Sequence, residues 1–148
     1  MVKKKSRTAG VIDIGSSSIR LIIGEKTGEK VKILELLKNT IPLGKDTFDT
    51  GKISQTTTNQ TISILKKYKE VLASYKTGTV RVIATTAVRE AENSDIFTDT
   101  VKLNTGFTIE VLPVGDTVFY IDSYLFYNLQ DRFPMHERNI LIAELGAG

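Results

Sequence analysis

The sequence contains no cysteine, which excludes a disulfide framework and a thiolate metal site. No apolar run approaches the roughly 18 residues that a membrane-spanning helix needs. The basic N-terminus is not followed by a separate apolar core and cleavage site, as it would be in a secretory signal. The single histidine, His136, lies in a polar stretch and is interpreted as a surface loop residue. These absences predict a cytoplasmic protein with no membrane segment.

The net charge of the chain is also small. The 148 residues include 20 Lys and Arg against 17 Asp and Glu, for a net charge of +3. Four of the basic residues lie between residues 3 and 7, and without them the balance is 16 against 17, or −1. We therefore predict a disordered basic tail over residues 1–8. A solvated terminus explains this charge better than a nucleic-acid-binding arm, so nucleic acid is not an expected partner.

The length fits one domain, and the order of apolar runs predicts its fold class. Three strands joined by short turns come first, which implies an antiparallel start. The later strands are separated by helices, which implies parallel crossovers. We predict a mixed α/β sheet with helices on both faces. After the opening hairpin, the predicted strands are 31–37, 79–84, 107–112 and 139–145. The predicted helices are 54–78, 94–103 and a last helix capped by Asp116. A loop is predicted at 39–51 and a short helical turn at 87–91.

The first strand carries one carboxylate, Asp13, and breaks at Gly15 into Ser16, Ser17 and Ser18. A charge inside a buried run is costly unless something pairs with it. The backbone N–H groups and hydroxyls of a tight turn can face an anion. The pattern is typical of a carboxylate beside a phosphate-binding turn. An ordinary hairpin turn with an edge Asp is an equally good interpretation of this motif alone.

Arg89 follows the strand at 79–84, in a turn that contains small and hydroxyl residues. Ligands collect at the carboxyl ends of strands in open α/β sheets. An arginine at that position can hold phosphate oxygens with two parallel hydrogen bonds. On spacing alone, the favoured alternative is a surface ion pair between Arg89 and Glu90 or Glu92.

A second carboxylate, Glu144, lies near the end of the last apolar run and is followed by Gly146 and Gly148. Two turns that combine a strand, a carboxylate and glycine would flank one phosphate chain from two sides. The alternative is a strand end followed by a glycine tail.

The last predicted helix is rich in aromatic side chains, which cover several of its faces. Part of this cluster should be core, and part is available for contact with another domain or subunit, including a homodimer. The aromatic residues are Phe119, Tyr120, Tyr124, Phe126 and Tyr127.

In this order, the segments resemble the N-terminal domain of the Ppx/GppA phosphatases, which are exopolyphosphatases and guanosine pentaphosphate phosphohydrolases. That family opens with an apolar run, D-I-G-S-N-S, an apolar residue and R, and residues 13–20 read D-I-G-S-S-S-I-R. Its middle block resembles A-T-S-A-V-R-E-A followed by N and F, and residues 84–97 read A-T-T-A-V-R-E-A-E-N-S-D-I-F. A looser L-G-x-x-x-x-x-x-G segment covers residues 43–51.

The resemblance implies a ribonuclease-H-like fold of the actin-like ATPase superfamily, with an active site between two lobes. Residues 9–148 would form the N-terminal lobe and would end within the second phosphate turn, so a missing second lobe of the same protein is an expected partner. The implied reaction is hydrolysis of a terminal phosphoanhydride in polyphosphate or guanosine pentaphosphate, with magnesium. An actin-like ATPase or an acetate-kinase-like phosphotransferase shares the fold, but the middle block disfavours both.

The resemblance also implies roles for single residues. Asp13 and Glu144 would hold magnesium, and Asp13 would alternatively position the attacking water. Residues 15–18 would cradle phosphate, and Arg89 would stabilise charge that develops on the transferred group. Glu144 and Gly146 would close the other side of the phosphate chain.

Several positions depart from the family pattern. Ser17 stands where the family has Asn, Glu144 where it has Asp, and Ala147 where it has its second Gly. The acidic residue proposed as the family's general base falls on Val118, which has no proton acceptor, and Asp116 lies two residues earlier. Losing a general base typically costs about 10²–10⁴-fold in rate. The second hypothesis is therefore a degenerate member that binds a phosphorylated ligand or a partner protein. Under either hypothesis the isolated chain is expected to be inactive or very weak, because half of the cleft is missing.

Overall fold

The computed structural model describes residues 7–28, 30–129 and 141–143. The strands in this part of the chain are β1 (Arg7–Ile14), β2 (Ser18–Thr27), β3 (Lys30–Thr40), β4 (Thr79–Ala84) and β5 (Ile109–Val111). The helices are α1 (Leu43–Thr50), α2 (Gln55–Ser74), α3 (Thr86–Arg89), α4 (Ser94–Thr105) and α5 (Val114–Leu129).

The strands form one sheet with the order β3-β2-β1-β4-β5. β1 pairs antiparallel with β2, and β2 pairs antiparallel with β3. β4 lies parallel to β1, and β5 lies parallel to β4. Short turns leave adjacent strands antiparallel, whereas the helical connections before β4 and β5 allow parallel pairing. The predicted mixed sheet with three antiparallel leading strands is confirmed.

The hydrophobic core lies on one face of this sheet. Ile12 of β1 pairs with Leu21 of β2 and Val82 of β4, and all three side chains are buried on that face. Helices α1 to α4 pack over it, each contributing buried apolar residues to the same cluster. Helix α5 reaches the opposite face, where Tyr120 contacts Arg81 of β4. Helices therefore lie on both faces, as predicted.

The clearest difference from the sequence prediction is α1, which lies inside the predicted loop at 39–51. Leu43 and Thr47, four residues apart, are both buried and form the inner side of this helix. Gly51 ends the helix with a φ of 76°, a left-handed conformation that glycine adopts without strain. Proline, glycine and threonine lower the helix propensity of this segment, and packing overrides that preference.

Smaller differences concern the ends of elements. β1 begins at Arg7, so residues 7 and 8 belong to the sheet, whereas the tail was predicted over 1–8. α5 begins at Val114, which places Asp116 in its first turn and not at its cap. Residues 141–143 do not form the strand predicted at 139–145, and the rest of that strand lies outside the described residues. Within the described ranges, no helix has both the length and the apolar character needed to cross a membrane.

Candidate active site

A cavity of about 430 Å³ opens at the carboxyl ends of β1 and β4. This is the edge of an open α/β sheet at which ligands bind. Four parts of the chain form its walls: the β1–β2 hairpin, the end of β4 with the segment after it, Leu112 after β5, and one side of α5. The polar lining residues are Asp13, Ser16, Ser17, Ser18, Arg20, Thr85, Thr86, Thr117 and Tyr120.

The turn between β1 and β2 presents three hydroxyls to this cavity. The Gly15 N–H donates to the Ser18 carbonyl at 3.0 Å, which closes the hairpin. Among the residues that the structure describes, the hydroxyls of Ser16, Ser17 and Ser18 make no hydrogen bond. All three residues line the cavity, so these hydroxyls are available to a ligand.

Asp13 lies on the side of β1 opposite the core, beside the serine turn. Burial raises the pKa of its carboxyl group, and the positive charge of Arg20 acts in the opposite direction. In the described ranges, the carboxylate makes no hydrogen bond and no ion pair within 4.0 Å. A half-buried carboxylate without a direct partner is costly, and it suits a site that receives a cation or a water molecule.

Arg20 is the residue that the sequence interpretation did not assign. Its Cα lies opposite that of Asp13 in the register of the β1–β2 hairpin, and the residue lines the cavity. The register of the hairpin contains this information, because a turn centred on Ser16 and Ser17 places residue 13 opposite residue 20. The cavity therefore carries one carboxylate and one guanidinium on adjacent strands.

Arg89 lies behind the cavity wall in this structure. Its Nε donates to Glu90 Oε1 at 3.0 Å, which is the ion pair that was weighed as the alternative. Its Nη1 donates to the Leu112 carbonyl at 3.1 Å, and its Nη2 lies 3.4 Å from Thr86 Oγ1. Leu112 and Thr86 both line the cavity, so the guanidinium is one residue removed from it. The phosphate-binding role of Arg89 stays a prediction.

The side of α5 that faces the cavity carries Thr117, Tyr120 and Ile121. Successive helix residues are about 100° apart, so Asp116 and Val118 flank this side in opposite directions. Neither residue lines the cavity, and Val118 is exposed. The α5 side chains at this cavity therefore include no carboxylate that could act as a general base.

Tyr120 is held over the sheet by a small polar cluster. Arg81 of β4 donates to both Glu110 carboxylate oxygens, at 2.7 and 2.8 Å, and its Nη1 donates to Tyr120 Oη at 3.2 Å. The Arg81 guanidinium also lies 5.9 Å from the centre of the Tyr120 ring. This contact fixes one wall of the cavity.

The second predicted phosphate turn cannot be placed beside the first. Glu144, Gly146 and Ala147 lie outside the described residues, as does His136. Within the described part of the chain, no group of three His, Cys, Asp or Glu residues could hold a metal ion. Asp13 is the one predicted metal ligand that the structure describes.

A five-stranded mixed sheet with a hydroxyl-rich turn and a carboxylate at the carboxyl ends of its strands defines the class of an α/β lobe with a polar cavity at that edge. The family model described as "Ppx/GppA phosphatase family" matches residues 21–116, which is more than half of the chain. The chain therefore belongs to the Ppx/GppA phosphatase family.

Individual relatives agree with this assignment. The chain is 29% identical to exopolyphosphatase 1 of Mycobacterium tuberculosis, in an alignment that covers 72% of this chain and 31% of that protein. It is 31% identical to a bifunctional 3-dehydroquinate synthase/phosphatase of Fusobacterium nucleatum, over 93% of this chain and 21% of that protein. The chain thus spans a third or less of the length of these curated relatives.

The fold is also found in a solved structure of the same family. The crystal structure of the Aquifex aeolicus Ppx/GppA family member superposes with a TM-score of 0.80 at 30% identity. The superposition covers 85% of this chain and 41% of that one. The predicted ribonuclease-H-like fold of the actin-like ATPase superfamily is confirmed.

Proposed function

We propose that this chain is the N-terminal lobe of a phosphatase that hydrolyses a terminal phosphoanhydride in polyphosphate or guanosine pentaphosphate. The observation that carries the proposal is the set of three unbonded serine hydroxyls beside Asp13 and Arg20. Hydroxyl and guanidinium donors are the groups that bind phosphate oxygens. The terminal phosphates would lie in this cavity, over the turn at residues 15–18.

Magnesium fits the donor set that is available here. The ion is usually bound through one or two carboxylates, with water and substrate phosphates completing its shell. Asp13 offers one carboxylate without a direct partner, and Glu144 would be the second. When bound, magnesium would neutralise charge on the phosphate oxygens.

The remaining predicted roles complete the proposed site. Arg89 would exchange its hydrogen bond to Glu90 for a phosphate oxygen and would stabilise the charge of the transferred group. Gly146, together with Glu144, would contribute the second phosphate turn. A second lobe of the same protein would close the cavity and supply the residues that distinguish polyphosphate from guanosine pentaphosphate.

Activation of the attacking water is the step that this chain supports least. Among the described residues that line the cavity, Asp13 is the only one with a carboxylate. Asp13 would orient the water, and a stronger proton acceptor would come from outside the described residues. The isolated chain should therefore bind phosphates but hydrolyse them very weakly. The relatives compared give no support to the alternative of a degenerate, purely binding member. A cytoplasmic location and a homodimer also stay predictions.

The binding step can be tested by titrating the 148-residue chain with inorganic triphosphate in a calorimeter, with and without magnesium. Replacing Ser16, Ser17 and Ser18 together by alanine should weaken binding at least tenfold, because hydrogen bonds to charged groups contribute about 1.5–3 kcal/mol. The matched control is Ser63→Ala on the exposed side of α2. Equal affinity in the triple variant and the control would rule out the serine turn as the phosphate site.

A further inference from the structure

The segment at residues 41–53, which contains α1, has no role in the site described above. We call it the α1 brace. At its first end, the Gly44 N–H donates to the Ser16 carbonyl at 2.7 Å, and the Ile41 N–H donates to the Ser17 carbonyl at 3.1 Å. The brace therefore binds the backbone of the serine turn, whose three serines also line the cavity.

In its middle, the brace contacts the helix that carries Arg89. Thr47 is buried, and its Oγ1 donates to the Ala87 carbonyl at 2.9 Å. Ala87 lies in α3, two residues before Arg89. The last carbonyls of any helix lack partners within the helix, and α3 is only one turn long. Thr47 supplies such a partner from 40 residues away in the sequence.

At its far end, the brace holds the segment that follows α3. The Gly51 carbonyl accepts from the Glu92 N–H at 2.9 Å. The Asn93 side-chain amide binds both the N–H and the carbonyl of Ile53, each at 2.9 Å. One continuous segment is therefore hydrogen-bonded to the serine turn at one end, to α3 in its middle and to the segment after α3 at its far end.

We propose that the α1 brace sets the distance and orientation between the serine turn and Arg89, and that Thr47 is the positioning residue for Arg89. This inference rests on the proposed function, in which both parts bind the same phosphate chain. A four-residue helix has too few internal hydrogen bonds to fix its own rotation. Without the Thr47 hydroxyl, the Ala87 carbonyl would lose this partner, and the resulting shift of α3 would displace the guanidinium.

The test compares Thr47→Val with Thr61→Val in the full 148-residue chain. Thr61 is also buried, and its Oγ1 also donates to a main-chain carbonyl at 2.9 Å, but within α2 and away from both turns. Both variants should unfold at lower denaturant concentration. Only Thr47→Val should also weaken the binding of inorganic triphosphate, by about tenfold, and Thr47→Ser should restore it.

A second comparison separates positioning from general loosening. In an Arg89→Ala background, Thr47→Val should cause no further loss of triphosphate affinity, because it acts through Arg89. An additional tenfold loss in that background would overturn the positioning role.

Hydrogen exchange tests the brace without any ligand. Amides of residues 86–90 should exchange faster in Thr47→Val than in Thr61→Val. Equal exchange in the two variants would refute the brace, whatever the binding result. If the unmodified chain binds no triphosphate while the exchange difference is present, the proposed phosphate site fails and the coupling of Thr47 to α3 stands.

Discussion

Replacing Gly44 by alanine is the sharpest perturbation of the serine turn, because it alters the turn from behind without removing a ligand-binding atom. A Cβ at position 44 would lie 2.9 Å from Ser16 Cβ and 3.2 Å from the Ser16 carbonyl oxygen. It would also lie 3.3 Å from a ring carbon of Phe48. The ring can move aside, but the turn backbone can relieve the clash only by shifting.

Two opposing effects decide the size of the change in stability. Overpacking in a well-packed site costs about 1–3 kcal/mol. Alanine in place of glycine inside a helix gains up to about 1 kcal/mol, and less in a first turn such as this one. The net loss should therefore be about 1–2 kcal/mol. The displacement of Ser16 is the larger consequence, since it moves a hydroxyl and lengthens the 2.7 Å hydrogen bond that supports it.

The assay is the affinity for inorganic triphosphate, with chemical denaturation measured in parallel. Gly44→Ala should weaken binding about tenfold, since misplacing one charge-assisted hydrogen bond costs about 1.5 kcal/mol or more. Gly115→Ala is the matched control, because Gly115 lies in the first turn of α5 and a Cβ there meets nothing within 4 Å. The control should keep its affinity and its stability. If Gly44→Ala binds triphosphate as tightly as the control, the close approach of α1 to the turn does not position the site.

Three further predictions concern charge and catalysis. Burial raises the pKa of Asp13, so its charged form costs stability in the folded state, and that cost disappears as the pH falls through the raised pKa. Asp13→Asn should therefore be more stable than the unmodified chain in denaturant at pH 7, and the difference should shrink as the pH approaches 4; a constant or growing difference would contradict this. The Arg81–Glu110 pair is half-exposed, so Arg81→Met should lower the free energy of unfolding by no more than about 1 kcal/mol. The same variant should speed hydrogen exchange in α5. Unchanged exchange would show that the pair does not hold that helix. The isolated chain should release little phosphate from polyphosphate, and efficient turnover in a phosphate-release assay would disprove the need for a second lobe.

The fold was largely predictable because its local patterns agree with its tertiary contacts. Ser54 was read as the start of α2, and its Oγ accepts from the Thr57 N–H at 3.2 Å. The helix predicted at 94–103 extends to Thr105, and Gly106 ends it with the left-handed φ of 79° that such an end favours. Helix α1 was missed for the opposite reason. Its sequence has weak helix propensity, and the helix forms because Leu43 and Thr47 pack into the core from a segment that looks like a loop.

The site was predictable to the extent that it depends on neighbours along one hairpin. Asp13, the serine turn and Arg20 follow from the register of two adjacent strands. The contact between Thr47 and Ala87 depends on how α1 packs against α3, and no local pattern specifies that packing. The position of Arg89 could not be predicted for the same reason, since spacing alone permits both the ion pair with Glu90 and a phosphate contact.

The three segments that carry the family resemblance gain a common explanation from these contacts. Residues 13–20 form the serine turn and its flanking charges, and residues 84–97 carry Arg89 on α3. β1 and β4 lie side by side, yet the turns that follow them have few direct links, among them the Thr85 N–H to the Ile14 carbonyl at 3.3 Å. The segment at 43–51 adds hydrogen bonds from Gly44 to the Ser16 carbonyl and from Thr47 to the Ala87 carbonyl. Gly44 and Thr47 do not line the cavity, and we infer that they support the proposed phosphate-binding parts from behind.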